Sequence, residues 1–184
     1  WLDNRNQPRL VNVADKKFNE WSDLHFDFVP NLNLKENITI TKNLVGNGVF
    51  HSGIIQYAFT YYNIYGQESN IFYTSSIYNI SPKNRASSPE ENSNCSFKLE
   101  LSNLDTQFDY LRIYSISRTS IDSTPIVRKV IDIQVPVVQN NSSNVVFIDN
   151  GLQGELIDAT SLLYVGGEEI IAETFTQKDN TLFL

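Results

Sequence analysis

The stretch IIQYAFTYYNIYGQESNIFYTSSIYNI, Ile54 to Ile80, decides the fold and reads as two long strands joined by a tight turn. Ile55, Tyr57, Phe59 and Tyr61 alternate with Ile54, Gln56, Ala58, Thr60 and Tyr62, the two-residue period that sends successive side chains to opposite faces of a sheet. Apolar groups stand on both faces, so the first strand is expected at the centre of its sheet. Tyr65-Gly66-Gln67-Glu68 ends the run. Gly66 there supplies the positive φ of a short hairpin turn, and the polar pair behind it can sit in water. The chain then returns through Phe72, Tyr73, Ile77, Tyr78 and Ile80.

Upstream of that stretch, Trp1 to Val13 is polar and turn-rich around Asp3-Asn4 and Gln7-Pro8. Ala14 to Leu24 carries Phe18 and Trp21 at a three-residue spacing behind a capping Asp15, which predicts a short helix or helical turn. Alternation resumes over His25 to Val29, where Pro30 limits pairing, and Leu32 to Leu44 follows with Ile38, Ile40 and Leu44 as inward positions. Val45-Gly46-Asn47-Gly48 breaks the chain before the hairpin.

Downstream, Ser81 to Ser96 holds prolines, serines and a Glu pair with almost nothing apolar, and is expected to be a long exposed loop. Phe97 to Leu101 places Phe97, Leu99 and Leu101 on one face. Leu104 stands six residues ahead of Tyr110, the spacing of a tyrosine corner, in which a strand-opening tyrosine hydroxyl bonds to nearby backbone. Pro125 to Val135 and Val145 to Ile148 supply two more strands, and Asp149-Asn150-Gly151 is a turn signal. From Ile38 onward this makes about seven short strands, the pattern of an all-β, immunoglobulin-like or fibronectin type III-like β-sandwich with extended N- and C-terminal segments. Residues 1–37 read as an N-terminal connecting segment and 38–150 as the sandwich. Residues 151–184 read as a C-terminal segment that pairs with the rest of a longer chain, because TFTQKDNTLFL at Thr174 to Leu184 ends on a turn and a new apolar strand.

A chain of 184 residues can bury roughly 70% of the surface it exposes when unfolded, enough for one good core. At 41% hydrophobic and 12% aromatic the composition is globular, and no apolar run approaches the ~20 residues that span a membrane. The sequence begins at Trp1 without Met and stops inside an apolar pattern, so a piece of a longer polypeptide is expected. A net charge of −7 without a basic stripe argues against nucleic-acid binding. A single cysteine, Cys95, excludes an intramolecular disulfide.

Candidate chemistry is sparse. Triads and dyads need a nucleophile, a base and an orienting group within reach, and the only imidazoles are His25 and His51. Cys95 reads as a passive thiol in a polar loop, and His51 as a hydrogen-bonded edge or core residue. Glu90-Glu91 and Glu168-Glu169 are sequence neighbours that a strand would send to opposite faces, whereas glycosidase carboxyls share one cleft ~5–10 Å apart. Asp149-Asn150-Gly151 and Asp179-Asn180 lack the spaced oxygens of a calcium loop and read as turns. Tyr57, Phe59, Tyr61, Tyr62, Tyr65, Phe72, Tyr73 and Tyr78 read as core and cross-strand packing before a sugar-stacking platform. No catalytic, cofactor-binding or metal residue is assigned, and no cofactor is expected.

Four segments carry a resemblance: WLDNRNQPRLVNV at the start, GIIQYAFTYYNIYGQES, LSNLDTQFDYLRIYSISR, and QKDNTLFL at the end. In this order they resemble a domain of the large tail or muzzle-type virion proteins of crAss-like bacteriophages of Bacteroides, with one departure at Thr181, where an arginine is expected. The resemblance implies a non-catalytic structural component of the portal-proximal tail, located in the virion. Its implied partners are other virion proteins and copies of itself in a ring-like assembly, with no specific nucleic-acid binding. No functional residue carries over. The residues alone also admit a secreted or surface fibronectin-type module that recognises a glycan or protein through exposed aromatics or the 81–96 loop.

Overall fold

Alternating apolar residues organise two strands that must face each other. Ile55, Tyr57, Phe59 and Tyr61 form one buried row, and Phe97, Leu99 and Leu101 form the other. The computed structural model describes residues 5–6, 8–9, 26–27, 38–64, 66, 68–82, 87–106, 108–136, 144–165, 171, 174, 176–178 and 181–183. In chain order the strands are β1 (Ile38–Asn43), β2 (Phe50–His51), β3 (Gly53–Tyr62), β4 (Tyr73–Thr74), β5 (Tyr78–Ile80), β6 (Asn92–Ser93), β7 (Ser96–Leu101), β8 (Tyr110–Arg118), β9 (Ile126–Gln134), β10 (Val145–Asp149) and β11 (Glu155–Ile157). A 3-10 helix (Ala159–Tyr164) precedes β12 (Thr176–Lys178) and β13 (Thr181–Phe183).

A three-stranded sheet runs β1-β7-β10, and a six-stranded sheet runs β11-β9-β8-β3-β4 with β5 also on β3. Two-stranded pairs β2-β6 and β12-β13 stand beside them, and every pairing is antiparallel. The fold is therefore an all-β sandwich. β3 is central, paired with β8 from Ile54 to Tyr62 on one side and with β4 and β5 on the other. β11 pairs with β9, so the larger sheet draws on residues beyond 150.

The core lies between the two sheets. The Phe97 ring of β7 meets Phe50 at 5.5 Å and both Tyr57 and Tyr78 at 5.7 Å, all edge-on. Tyr61 is stacked between Phe72 at 4.8 Å and Phe108 at 4.6 Å. Gly48 admits the approach of β7's leading turn, because a Cβ there would sit 1.6 Å from the Cys95 carbonyl oxygen.

The return from the turn differs from the long strand expected. Gly66 does take a positive φ, 87°, but beyond it only β4 and β5 pair with β3, and their registers differ by one residue. Two serines explain the break. Ser69 donates its amide to the Tyr61 carbonyl at 2.9 Å, and its hydroxyl accepts from the Tyr61 amide at 2.9 Å. Ser75 repeats this on Tyr57, at 2.8 and 2.9 Å. Each hydroxyl thus stands where a ladder carbonyl would be, which frees the serine's own carbonyl and lets the edge bend away from the sheet. Ser75→Ala leaves the buried Tyr57 amide without an acceptor and is expected to cost about 1–3 kcal/mol. Urea unfolding checks this, and Ser76→Ala, one position outside the pairing, is the near-neutral control.

Three further expectations change. Leu44 is 71% exposed rather than inward, because β1 ends at Asn43. Ser81 to Ser96 is not one exposed loop: β6 pairs with β2, and Ser93, Cys95 and Ser96 are buried. The corner hydroxyl is that of Tyr61, which accepts from the Asp105 amide at 2.9 Å; Tyr110 instead lies beside Tyr62 at 6.3 Å. Tyr61 lies on the core face of β3, opposite Leu111, so its hydroxyl and not that of Tyr110 reaches the 102–109 connection. The helix expected over Ala14 to Leu24 lies outside the described residues, as does most of the His25 to Val29 strand, where Asp27 bridges to Arg9.

Candidate functional site

Two side-chain clusters concentrate the polar chemistry of the described residues. The first lies on the outer face of the six-stranded sheet, where period two sends Thr60 and Tyr62 of β3, Arg112 and Tyr114 of β8 and Asp132 of β9 to the same side. Glu68, which bridges back to Tyr62 after the turn, joins them. Its Oε1 accepts from the Thr60 and Tyr114 hydroxyls, both at 2.6 Å, and its Oε2 accepts from Arg112 Nη1 at 2.6 Å. Arg112 donates its other edge to Asp132 through Nε at 2.7 Å and Nη2 at 2.8 Å, a bidentate fork. Its guanidinium lies 4.2 Å over the Tyr62 ring.

Its hydrogen bonds to Asp132 and the charge of Glu68 hold the Arg112 guanidinium above its ordinary pKa, against the opposing effect of burial. Burial, then Glu68, pushes the Tyr114 phenol up. Chemically the arrangement is closed. Both carboxylates are committed to one cation, and the hydroxyls are committed to Glu68, so the cluster ties the turn, β8 and β9 together.

The second cluster crosses the core. The Tyr57 hydroxyl of β3 donates to Asp149 Oδ2 of β10 at 2.8 Å, 92 residues along the chain. The Gly151 amide donates to Asp149 Oδ1 at 2.8 Å, and Arg128 Nη1 donates to the Gly151 carbonyl at 2.5 Å. Asp149 is only 2% exposed. Burial pushes its carboxyl above the ordinary value of 3.8, with the Gly151 amide and Tyr57 hydroxyl pulling the other way. The Tyr57 phenol is pushed up by burial and then by Asp149.

A raised folded-state pKa means that the folded chain holds the Asp149 proton more tightly than the unfolded chain. The resulting stability is fully present below 3.8 and declines as pH rises through the folded value. The stability difference between the wild type and Asp149→Asn is accordingly expected to shrink as pH rises from 3.8 upward. Urea midpoints across that range check it, and a pH-independent difference contradicts it.

The residues weighed in the sequence are dispersed. His51 is an exposed edge residue of β2. Cys95 is fully buried instead of lying in an exposed loop, because it leads into β7 as part of the core cluster, with its backbone against Gly48. Glu90 is exposed, and the Glu91 backbone carbonyl accepts from both the amide and hydroxyl of Ser52. Tyr57, Phe59, Tyr61 and Phe72 are core, with Tyr73 and Tyr78 packed against it. His25, Tyr65, Glu168, Glu169, Asp179 and Asn180 lie outside the described residues. Asp149 was legible only as a turn former, and the Arg112 network was not legible at all. The alternation that puts Thr60 opposite Arg112 is visible only once the β3-β8 register is known. Among the described residues no group of three or more His, Cys, Asp or Glu side chains could hold a metal ion, and no helix is long and apolar enough to cross a membrane.

Comparison with known proteins extends the resemblance to the full chain. The Crassvirus muzzle protein family matches residues 1–184. The chain is 48% identical over 184 residues to the "Muzzle protein" of Bacteroides phage crAss001, an alignment that covers 100% of this chain and 13% of that relative. A family match from the first residue to the last, with identity at this level, assigns the chain to the Crassvirus muzzle protein family.

Proposed function

We propose that this chain is a non-catalytic structural module of a phage virion, placed in the tail or portal-proximal assembly. Membership of the muzzle family over the full chain is the observation that carries this reading. Residues 38–150, with β11 completing the larger sheet, form the body of the sandwich, of the fibronectin type, and 1–37 and the rest of 151–184 are the segments that join it to its surroundings. Its partners are other virion proteins and further copies of itself, arranged in a ring.

The side chains support a scaffold role. Glu68, Arg112 and Asp132 are saturated by one another, and the buried Asp149 is held by Tyr57 and Gly151. Such networks fix geometry, and each of these side chains is engaged with another group of the protein instead of being held ready for a substrate. A carbohydrate platform is disfavoured because most of the described aromatic set is inside the core.

Purified particles test the assignment. Peptides of this chain are expected in virion mass spectra, and immunogold against it is expected to label the tail or its collar. Absence from particles overturns the virion role, while label confined to the capsid shell overturns the placement.

A further inference from the structure

The two sides of the sandwich are closed differently. On one side the Lys42 ammonium of β1 donates to the Asn79 carbonyl of β5 at 2.6 Å, and the Tyr78 hydroxyl donates to the Ile40 carbonyl at 3.4 Å. β1 also presents Thr39, Thr41 and Asn43 to solvent, and β4 and β5 are bent by the serine substitutions of the ladder. Polar faces and bends of this kind discourage further strand pairing.

The other side has no such guard. β10 and β11 are the outermost strands of their sheets, and among the described residues no strand pairs with the outer edge of β10. The sequence VVFID carries no lysine or proline, its pairing with β7 runs without a bulge, and its one charge, Asp149, is turned inward onto Tyr57. Val146 and Ile148 are 58% and 53% exposed, and Leu152 and Leu156 just beyond are 65% and 71% exposed. A regular edge flanked by exposed apolar side chains is a template for strand addition.

We propose that β10 is completed by an extended apolar strand from another part of the same muzzle polypeptide, which pairs along Val145–Asp149 and covers Val146 and Ile148. The occupant follows from the amount of chain at hand. This stretch corresponds to 13% of the related muzzle protein, so most of such a polypeptide lies outside it. A segment of the same polypeptide is held near the edge by its tether, whereas a second copy must arrive by diffusion. The proposal rests on family membership and is independent of where the protein sits in the virion.

A photoreactive benzoylphenylalanine at position 146 of the full-length polypeptide, prepared as a mixture of light and nitrogen-15-labelled chains, tests it in solution. The expected products are light–light and heavy–heavy cross-links from position 146 to one segment outside residues 1–184. The amides of 145–149 should exchange at least about tenfold more slowly than in the double variant Val146→Lys/Ile148→Lys. Light–heavy cross-links would identify a second copy and overturn the proposal. Cross-links confined to residues 1–184 would overturn it too, as would absent cross-links with exchange equal to that of the variant. None of these outcomes bears on the labelling of particles, so failure here leaves the virion placement to its own test.

Discussion

Phe97→Ala is expected to lower the stability of the sandwich by about 3–5 kcal/mol, the cost of deleting a fully buried aromatic ring and leaving a cavity behind. The ring packs between the two sheets. It reaches Phe50 of β2, Tyr57 on central β3 and Tyr78 on the bent edge, while its backbone pairs with Lys42 on one side and Asp149 on the other. Collapse into the void is restricted because β7 is hydrogen-bonded on both edges. Phe97→Leu, which keeps part of the volume, is expected to lose less. Urea unfolding measures both, and a loss below about 1 kcal/mol for the alanine variant would show that the sheets do not depend on this ring.

Tyr57→Phe is expected to cost about 2–3 kcal/mol near neutral pH, although it removes one oxygen and leaves the packing of the ring intact. The lost hydroxyl is a donor to the buried Asp149 carboxyl, where the Gly151 amide is the other donor among the described residues. The penalty falls as the carboxyl takes up a proton, so the variant is expected to approach the wild type in acid. A cycle of Tyr57→Phe, Asp149→Asn and the double variant isolates the pair. A coupling of about 1–3 kcal/mol is expected, since the two groups touch each other. Strictly additive losses would mean that the hydroxyl and the carboxylate act separately.

Legibility followed the range of the interactions. The core rows of β3 and β7 could be read directly, because burial on one face imposes a period of two whatever the partner. The turn at Gly66 was also legible, since turn chemistry is local, whereas the strand at 181–183, expected to pair with the rest of a longer chain, pairs with 176–178 across the turn. The bent return at Ser69 and Ser75 was not, because a hydroxyl replacing a ladder carbonyl leaves no periodic trace. Tyr61 took the corner role expected of Tyr110 because the bond depends on which face of β3 meets the 102–109 connection. Asp149 was hidden by its own neighbours: Asp-Asn-Gly signals a turn so strongly that the bond to Tyr57 across the sandwich had no sign in the sequence.

The charged cluster had the least signal of all. Glu68, Arg112 and Asp132 are each unremarkable surface residues in the sequence, and only the register joining β8 to both β3 and β9 aligns them. Cys95 shows the opposite failure, where polar neighbours suggested an exposed loop while the short link from β6 to β7 carried the residue into the core. Function was legible from long segments of sequence, and not from any site, because a scaffold is recognised by its whole surface.

Cryo-electron microscopy of the intact virion tests the central claim most directly. The account predicts density at the tail or portal-proximal assembly that fits this sandwich, with Phe97 between the sheets and Tyr57 joined to Asp149, repeated around a ring. A particle whose tail density accommodates no such sandwich, or a sandwich with β3 and β7 in different sheets from those described, would contradict it.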